Sequence, residues 1–226
     1  LHSLLVLRLR VDAILSGVSL NLLAMGLTTF LLRSLYSKGN IGVQVRGPDA
    51  WFPAVKSVPV LGTLLGGGTP FVPLALIAIF LVWFLVHRTR PGLQLRAVGE
   101  APGAARAAGI LLDRTRMGWV AAGGALAGLG GAYLCLEAAA RFTENLSAGK
   151  GYLALAAVII GRWQPLGAAL AVLVFSLAEA LQIRLQGGQV GLPSELLSAL
   201  PYTLGLLALS GVLGRVRPPA GLGQLD

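Results

Sequence analysis

Apolar residues fall in blocks along this chain, and each block ends at a cluster of arginine, glycine or proline. The first runs from 13 to 32, long enough for about 30 Å of helix, the thickness of a bilayer's hydrocarbon core. Asp12 stands before it as a helix N-cap. Further blocks occupy 71–87, 118–140, 166–185 and 194–214. A shorter one, 147–161, is broken by the "GRWQP" that follows. The pattern predicts an all-α, polytopic transmembrane helical bundle of about six membrane segments, one of them short or broken. Two readings of the short block stay open: it crosses the membrane, as regular alternation of the loops requires, or it enters and returns on the same side. Between the first two long blocks, 37–70 holds "GPDAWFPAVKSVPVLGTLLGGGTP", a Gly/Pro-punctuated connection. Loops of this length are usually functional or contain small elements of their own.

Composition agrees with a membrane protein. Of 226 residues, 55% are hydrophobic and 12% charged, against about 25% charged in a soluble domain. The mean hydropathy is +0.77. Within the block 118–140, Gly124 and Gly128 form a GxxxG, and Ala127 and Gly131 repeat the spacing, which lets helix backbones approach closely. Trp51 and Phe52 suit a membrane interface, as do Trp83, Trp119 and Trp163. The opening "LHSLLVL" reads like the tail of a helix and lacks the features of a signal peptide. Residues 218–226 read as a flexible tail.

The net charge of +9 raises nucleic acid as a partner, but the basic residues cluster between apolar blocks, where they set membrane orientation. If 88–117 is cytoplasmic, the inner set is Arg8, Arg10, Arg88, Arg90, Arg96, Arg106, Arg114, Arg116, Arg162, Arg215 and Arg217, eleven of the 18 basic residues. The outer set is Arg33, Lys38, Arg46, Lys56, Arg141, Lys150 and Arg184. The densest cluster is then inside.

That inner loop contains "LRAVGEAPGAARAAGI". Pro102 suits the first turn of a helix, where its missing N–H costs nothing. The alanines favour helix with little side chain to order, and Gly109 can end it. Such a helix, on the order of 12 Å long, is too short to be stable alone in water and calls for a partner surface. The stretch resembles the coupling segment of ABC-importer permeases of the simple-sugar and nucleoside group. Glu100, Ala101 and Gly109 fit the looser Glu-Ala-Ala…Gly pattern of importer permeases. "LRVDAILSGVSLNLLAMGLTTFLLR", "VPVLGTLLGGGTP" and "GKGYLALAAVIIGRWQPLGAALAVLVFSLAEALQIRLQ" resemble nucleoside-type permeases too.

The resemblance implies a permease domain over 1–217, with 88–117 as its cytoplasmic coupling loop. Such permeases carry further helices before the position matching Leu1, so the domain is expected to be N-terminally incomplete. It implies a multi-pass protein of the cell membrane that imports nucleosides or related sugars by alternating access. The implied partners are an ATP-binding subunit, a second and different permease, and an extracytoplasmic solute-binding protein. Glu100, Ala101, Pro102, Ala105, Arg106, Ala108 and Gly109 would couple to the ATPase. A topological linker is the plainer reading of the same residues.

Polar residues within the blocks are candidates for the solute path. Asn21 is mid-block, where an amide must be bonded or face water; an interhelical hydrogen bond serves equally. Ser176, Glu179 and Gln182 share one helix face at i, i+3 and i+6. Glu179 reads as the most intramembrane carboxylate. It meets a solute, or it pairs structurally with a cation such as Arg184.

Other chemistry is missing. Lys150 follows Gly149, but Glu144 stands where a GxxxxGK[ST] needs its first glycine, so ATP is expected on the partner and no cofactor in this chain. His2 and His87 lack company for a metal, and no catalytic cluster is visible. The rivals are an ion-driven secondary transporter, for which only Glu179 qualifies as a coupling residue, and an intramembrane enzyme.

Overall fold

A computed structural model describes residues 1–36, 40–42 and 70–187, with 196, 199, 202, 203, 205, 206 and 218–221. Most of the expected block 194–214, of the loop 37–70 and of the tail lies outside the described residues. Chain contacts divide the molecule into two compact units, one built on Leu1–Ala148 and the other on Gly149–Leu222.

The first unit begins with α1 (His2–Arg8) and α2 (Ala13–Tyr36). Asp12 caps α2 as its sequence position suggests, its Oδ1 accepting from the N–H groups of Ile14 at 2.8 Å and Leu15 at 3.1 Å. A 3.0 Å hydrogen bond between His2 Nδ1 and the buried Ser16 Oγ ties α1 to α2. The next elements are β1 (Asn40–Gly42), α3 (Phe71–Arg88), α4 (Arg90–Glu100), α5 (Pro102–Ala107) and α6 (Leu112–Tyr133). Helix α6 runs into a π-turn, Leu134–Ala138, and then β2 (Arg141–Thr143). Strands β1 and β2 pair antiparallel, Ile41 opposite Phe142. The apolar periodicity gave no sign of these three-residue strands, and β1 is a small element inside the long loop.

The chain turns from α3 into α4 on one residue. Thr89 is extended, donates its hydroxyl to Leu85 O at 2.5 Å and accepts from Gly92 N–H at 3.3 Å. The corner needs glycine at 92, because a Cβ there would stand 2.0 Å from the carbonyl oxygen of Leu85.

The second unit contains α7 (Lys150–Ile160) and α8 (Pro165–Gly187). They form an antiparallel hairpin with a buried seam of Ala156, Ala157, Ala171 and Phe175. A Cβ on Gly161 would come within 2.2 Å of the Ala168 nitrogen, and one on Gly167 within 2.2 Å of the Gly161 oxygen. Backbone thus meets backbone at the closed end.

Four described helical segments are long and apolar enough to cross a membrane: Ala13–Tyr36, Phe71–Arg88, Leu112–Ala138 and Pro165–Gln186. Helix α7 is not among them. Its 11 residues make about 16 Å of helix, half a hydrocarbon core. The block 147–161 is thus the short segment expected of it, a half-length element packed along α8.

Candidate functional site

Two places collect the residues singled out above. The first is the basic corner between α3 and α6. Glu100 closes α4, and Ala101, at φ −146°, separates it from α5. The stretch 100–109, expected to form one short helix from Glu100 to Gly109, is therefore divided at Ala101. Pro102 opens α5, and Gly109, at φ +79°, follows its end. Ile110 N–H donates to Ala105 O and Gly109 N–H to Arg106 O, both at 3.0 Å. This is a Schellman motif, which requires the left-handed residue that glycine supplies at no steric cost.

The motif turns Ile110 back onto a cluster of buried Val98, Ala105 and Leu112. The short helix is thus held by α4 and α6 of its own chain, where its length alone had called for a partner surface. The small face divides accordingly. Pro102 and Ala105 point into the molecule, while Glu100, Ala101, Ala104, Arg106, Ala107 and Ala108 are exposed. Beside them a groove of about 350 Å³ is lined by Arg106, Ile110, Leu111, Leu112, Asp113 and Arg114.

The second place is the face of α8. Glu179 there accepts a hydrogen bond from Lys150 Nζ, so its ion-pair partner is Lys150 and not Arg184. Ser176 is exposed, and Gln182 is half-buried and engaged. The three lie beside the seam formed by Ala171, Phe175 and Ala178, not within it. Asn21 is exposed in the middle of α2 and belongs to the other unit.

Sequence reasoning misses two residues. Lys150 counts by position as an outer-loop cation, yet it is the first residue of α7. Glu137 sits in the π-turn, and its Oε2 is buried without a hydrogen-bond partner among the described residues. Its signal was a carboxylate inside the block 118–140. At the far end of α2, Arg33 grips Glu144 with Nε–Oε1 at 2.7 Å and a second bond of 3.2 Å. The hydrogen bonds from Arg33 hold the Glu144 carboxyl below the usual carboxylate range. Near them Leu32, Leu35, Tyr36, Ile41 and Phe142 line an apolar cavity of about 180 Å³. Gly124 and Gly128 are exposed, and a Cβ on either would meet nothing within 4 Å, so the expected helix contact at the GxxxG is not made among the described residues.

Four apolar spans and a basic corner carrying a short, partly exposed helix describe a multi-pass membrane subunit. The sequence pattern of the branched-chain amino acid transport system / permease component family matches residues 1–209. The chain belongs to that family. It is 36% identical over 224 residues to the nucleoside ABC transporter permease protein NupC of Lactococcus lactis subsp. cremoris, covering 97% of this chain and 70% of the relative. It is 34% identical over 230 residues to the guanosine ABC transporter permease protein NupQ of Bacillus subtilis, with 99% and 71% covered. It is also 34% identical over 190 residues to the putative glucose ABC transporter permease protein TsgC13 of Haloferax volcanii, with 82% and 56% covered. No solved structure gives a significant match. As a family member the chain is a permease subunit, a multi-pass protein of the cell membrane and not an enzyme. Permeases of this kind work with an ATPase subunit and a solute-binding protein, which removes the ion-driven and enzymatic alternatives.

Proposed function

We propose that this permease imports nucleosides or related simple sugars by alternating access, with ATP bound and hydrolysed on a separate subunit and none in this chain. The corner 88–117 faces the cytoplasm, and the exposed side of α5 docks on the ATPase. Glu100, Ala101, Arg106 and Ala108 make the contact, while Pro102, Ala105 and Gly109 fix the shape that presents it. A second, different permease subunit completes the path. From α8, Ser176 and Gln182 offer it a hydroxyl and an amide for ribose hydroxyls and ring nitrogens, while Glu179 is held by Lys150.

The observation that carries this reading is the short helix α5, fixed rigidly on Val98, Ala105 and Leu112 yet turned outward at a cluster of arginines. A rigid knob transmits force between subunits better than a loop does, because its differential contacts in two states carry the coupling free energy. The names of the relatives favour nucleosides first and glucose second.

The test uses the permease with its ATPase in proteoliposomes. Ala108→Trp is expected to weaken capture of the ATPase and abolish ATP-driven guanosine uptake, while Arg106→Ala does less, an exposed charge pair being worth under about 1 kcal/mol. Glucose is the comparison solute. Equal ATPase capture by wild type and Ala108→Trp would leave α5 a topological linker. A thiol introduced at Arg96 in a Cys135→Ala background should label only from the cytoplasmic side.

A further inference from the structure

Helix α7 ends inside the depth of its neighbour. Contacts along the hairpin run in order away from the turn: Gly161 on Gly167, Ala157 and Ala156 on Ala171 and Phe175, and Lys150 on Glu179. The free end of α7 therefore comes level with Glu179, which lies well within the span Pro165–Gln186. Gly149, left-handed at φ +82°, delivers the chain to that point. A lone charge at such depth is costly, and ionisable groups there pair with one another or face a cavity. Each of these two charges makes the position of the other tolerable, and their side chains stay 41% and 45% exposed, so packing does not hold them in place.

The two ends of the hairpin are thus fastened by different means. Close backbone packing holds the closed end, where no side chain intervenes. At the open end the ammonium–carboxylate pair joins the first residue of α7 to α8. We propose that Lys150 is a positioning residue: its ion pair with Glu179 clamps the free end of the half-length α7 to α8, so that the hairpin moves as one body when the permease changes state. The requirement is for opposite charges at these two positions, not for a particular residue at either. The inference rests on the permease reading above but not on contact between Glu179 and solute.

The experiment uses the permease in its complex with the ATPase, in a Cys135→Ala background, and measures two things. One is ATP-driven guanosine uptake. The other is labelling of Gly151→Cys, at the exposed free end of α7, by a water-soluble maleimide. Lys150→Glu and Glu179→Lys each place like charges together and are expected to lower uptake about tenfold or more and to raise labelling. The exchanged pair, Lys150→Glu with Glu179→Lys, is expected to return both readouts to near the parent values. The neutral pair, Lys150→Met with Glu179→Gln, leaves no lone charge to prevent assembly. It is expected to assemble, label more strongly at position 151 and transport less.

If the exchanged pair assembles but labels as strongly as the single reversals and stays as inactive, opposite charge at these positions does not fasten α7, and the clamp is overturned. Parental uptake in both single reversals overturns the clamp outright, as does parental labelling in the neutral pair. Failure of the permease reading is separate: it shows as absence of ATP-driven uptake in the parent.

Discussion

The α7–α8 hairpin and helix α6 are both rich in small residues, and they use them in opposite ways. In the hairpin, Gly161 and Gly167 let two backbones touch, and Ala156, Ala157 and Ala171 are buried between them. In α6, every residue from 121 to 130 is exposed, and a Cβ on Gly123, Gly124, Gly128, Gly130 or Gly131 would meet nothing within 4 Å. Small side chains permit close approach but do not supply the surface approached. The same composition marks a finished seam in one place and an open face in the other.

The largest effects should come from adding one methyl group where backbones meet. Gly161→Ala and Gly167→Ala would put a carbon about 2.2 Å from main-chain atoms, and Gly92→Ala would do the same at the α3–α4 corner. Each is expected to cost on the order of 3 kcal/mol, since no flexible side chain can yield. Thermal unfolding and folded yield in detergent would measure it. The same substitution at Gly124 or Gly128 should stabilise the isolated chain by roughly 0.5–1 kcal/mol, because Gly is a poor helix residue. Equal destabilisation at Gly161 and Gly128 would show that α6 is as closely packed as the hairpin.

Next come the alanines of α5, which divide in the same manner within one turn. Ala105→Trp must force apart Val98 and Leu112, at a cost of about 1–3 kcal/mol, so its melting temperature should fall. Ala108→Trp projects outward and should leave the melting temperature of the isolated permease unchanged while impairing ATPase capture. Matching melting temperatures for the two Trp variants would show that Ala105 is not a packing residue.

Gly128→Leu tests the open face of α6 with a larger side chain. On the isolated chain it should be close to neutral, since the site is open. A loss of yield in the isolated chain would mean that a surface of its own already covers α6.

The smallest effect belongs to the exposed tie between Arg33 and Glu144. Because folding lowers the Glu144 pKa, the folded state binds its proton less readily than the unfolded chain. The tie therefore contributes above the usual carboxylate range and is lost as pH falls through the lowered value. Glu144→Gln should melt slightly earlier than wild type at neutral pH, and the gap should close in acid. A gap that widens in acid contradicts the sign.

What depends on neighbours along the chain was legible before any fold was known. Apolar blocks located the four described spans, Asp12 announced the start of α2, and Gly109 announced the end of α5. "LRAVGEAPGAARAAGI" pointed to the permease family. These follow from hydropathy, backbone propensity and capping, all set within a turn or two of helix. Which faces meet was set by long-range packing. It turned Ala105 inward and Ala108 outward, because α4 and α6 converge on one side of α5. It gave Glu179 to Lys150 rather than to the nearer Arg184. Residues i and i+5 of one helix point away from each other, whereas the register of an antiparallel hairpin brings residues 29 apart into contact. It left the GxxxG of α6 open, since a spacing that allows packing carries no instruction about what to pack against.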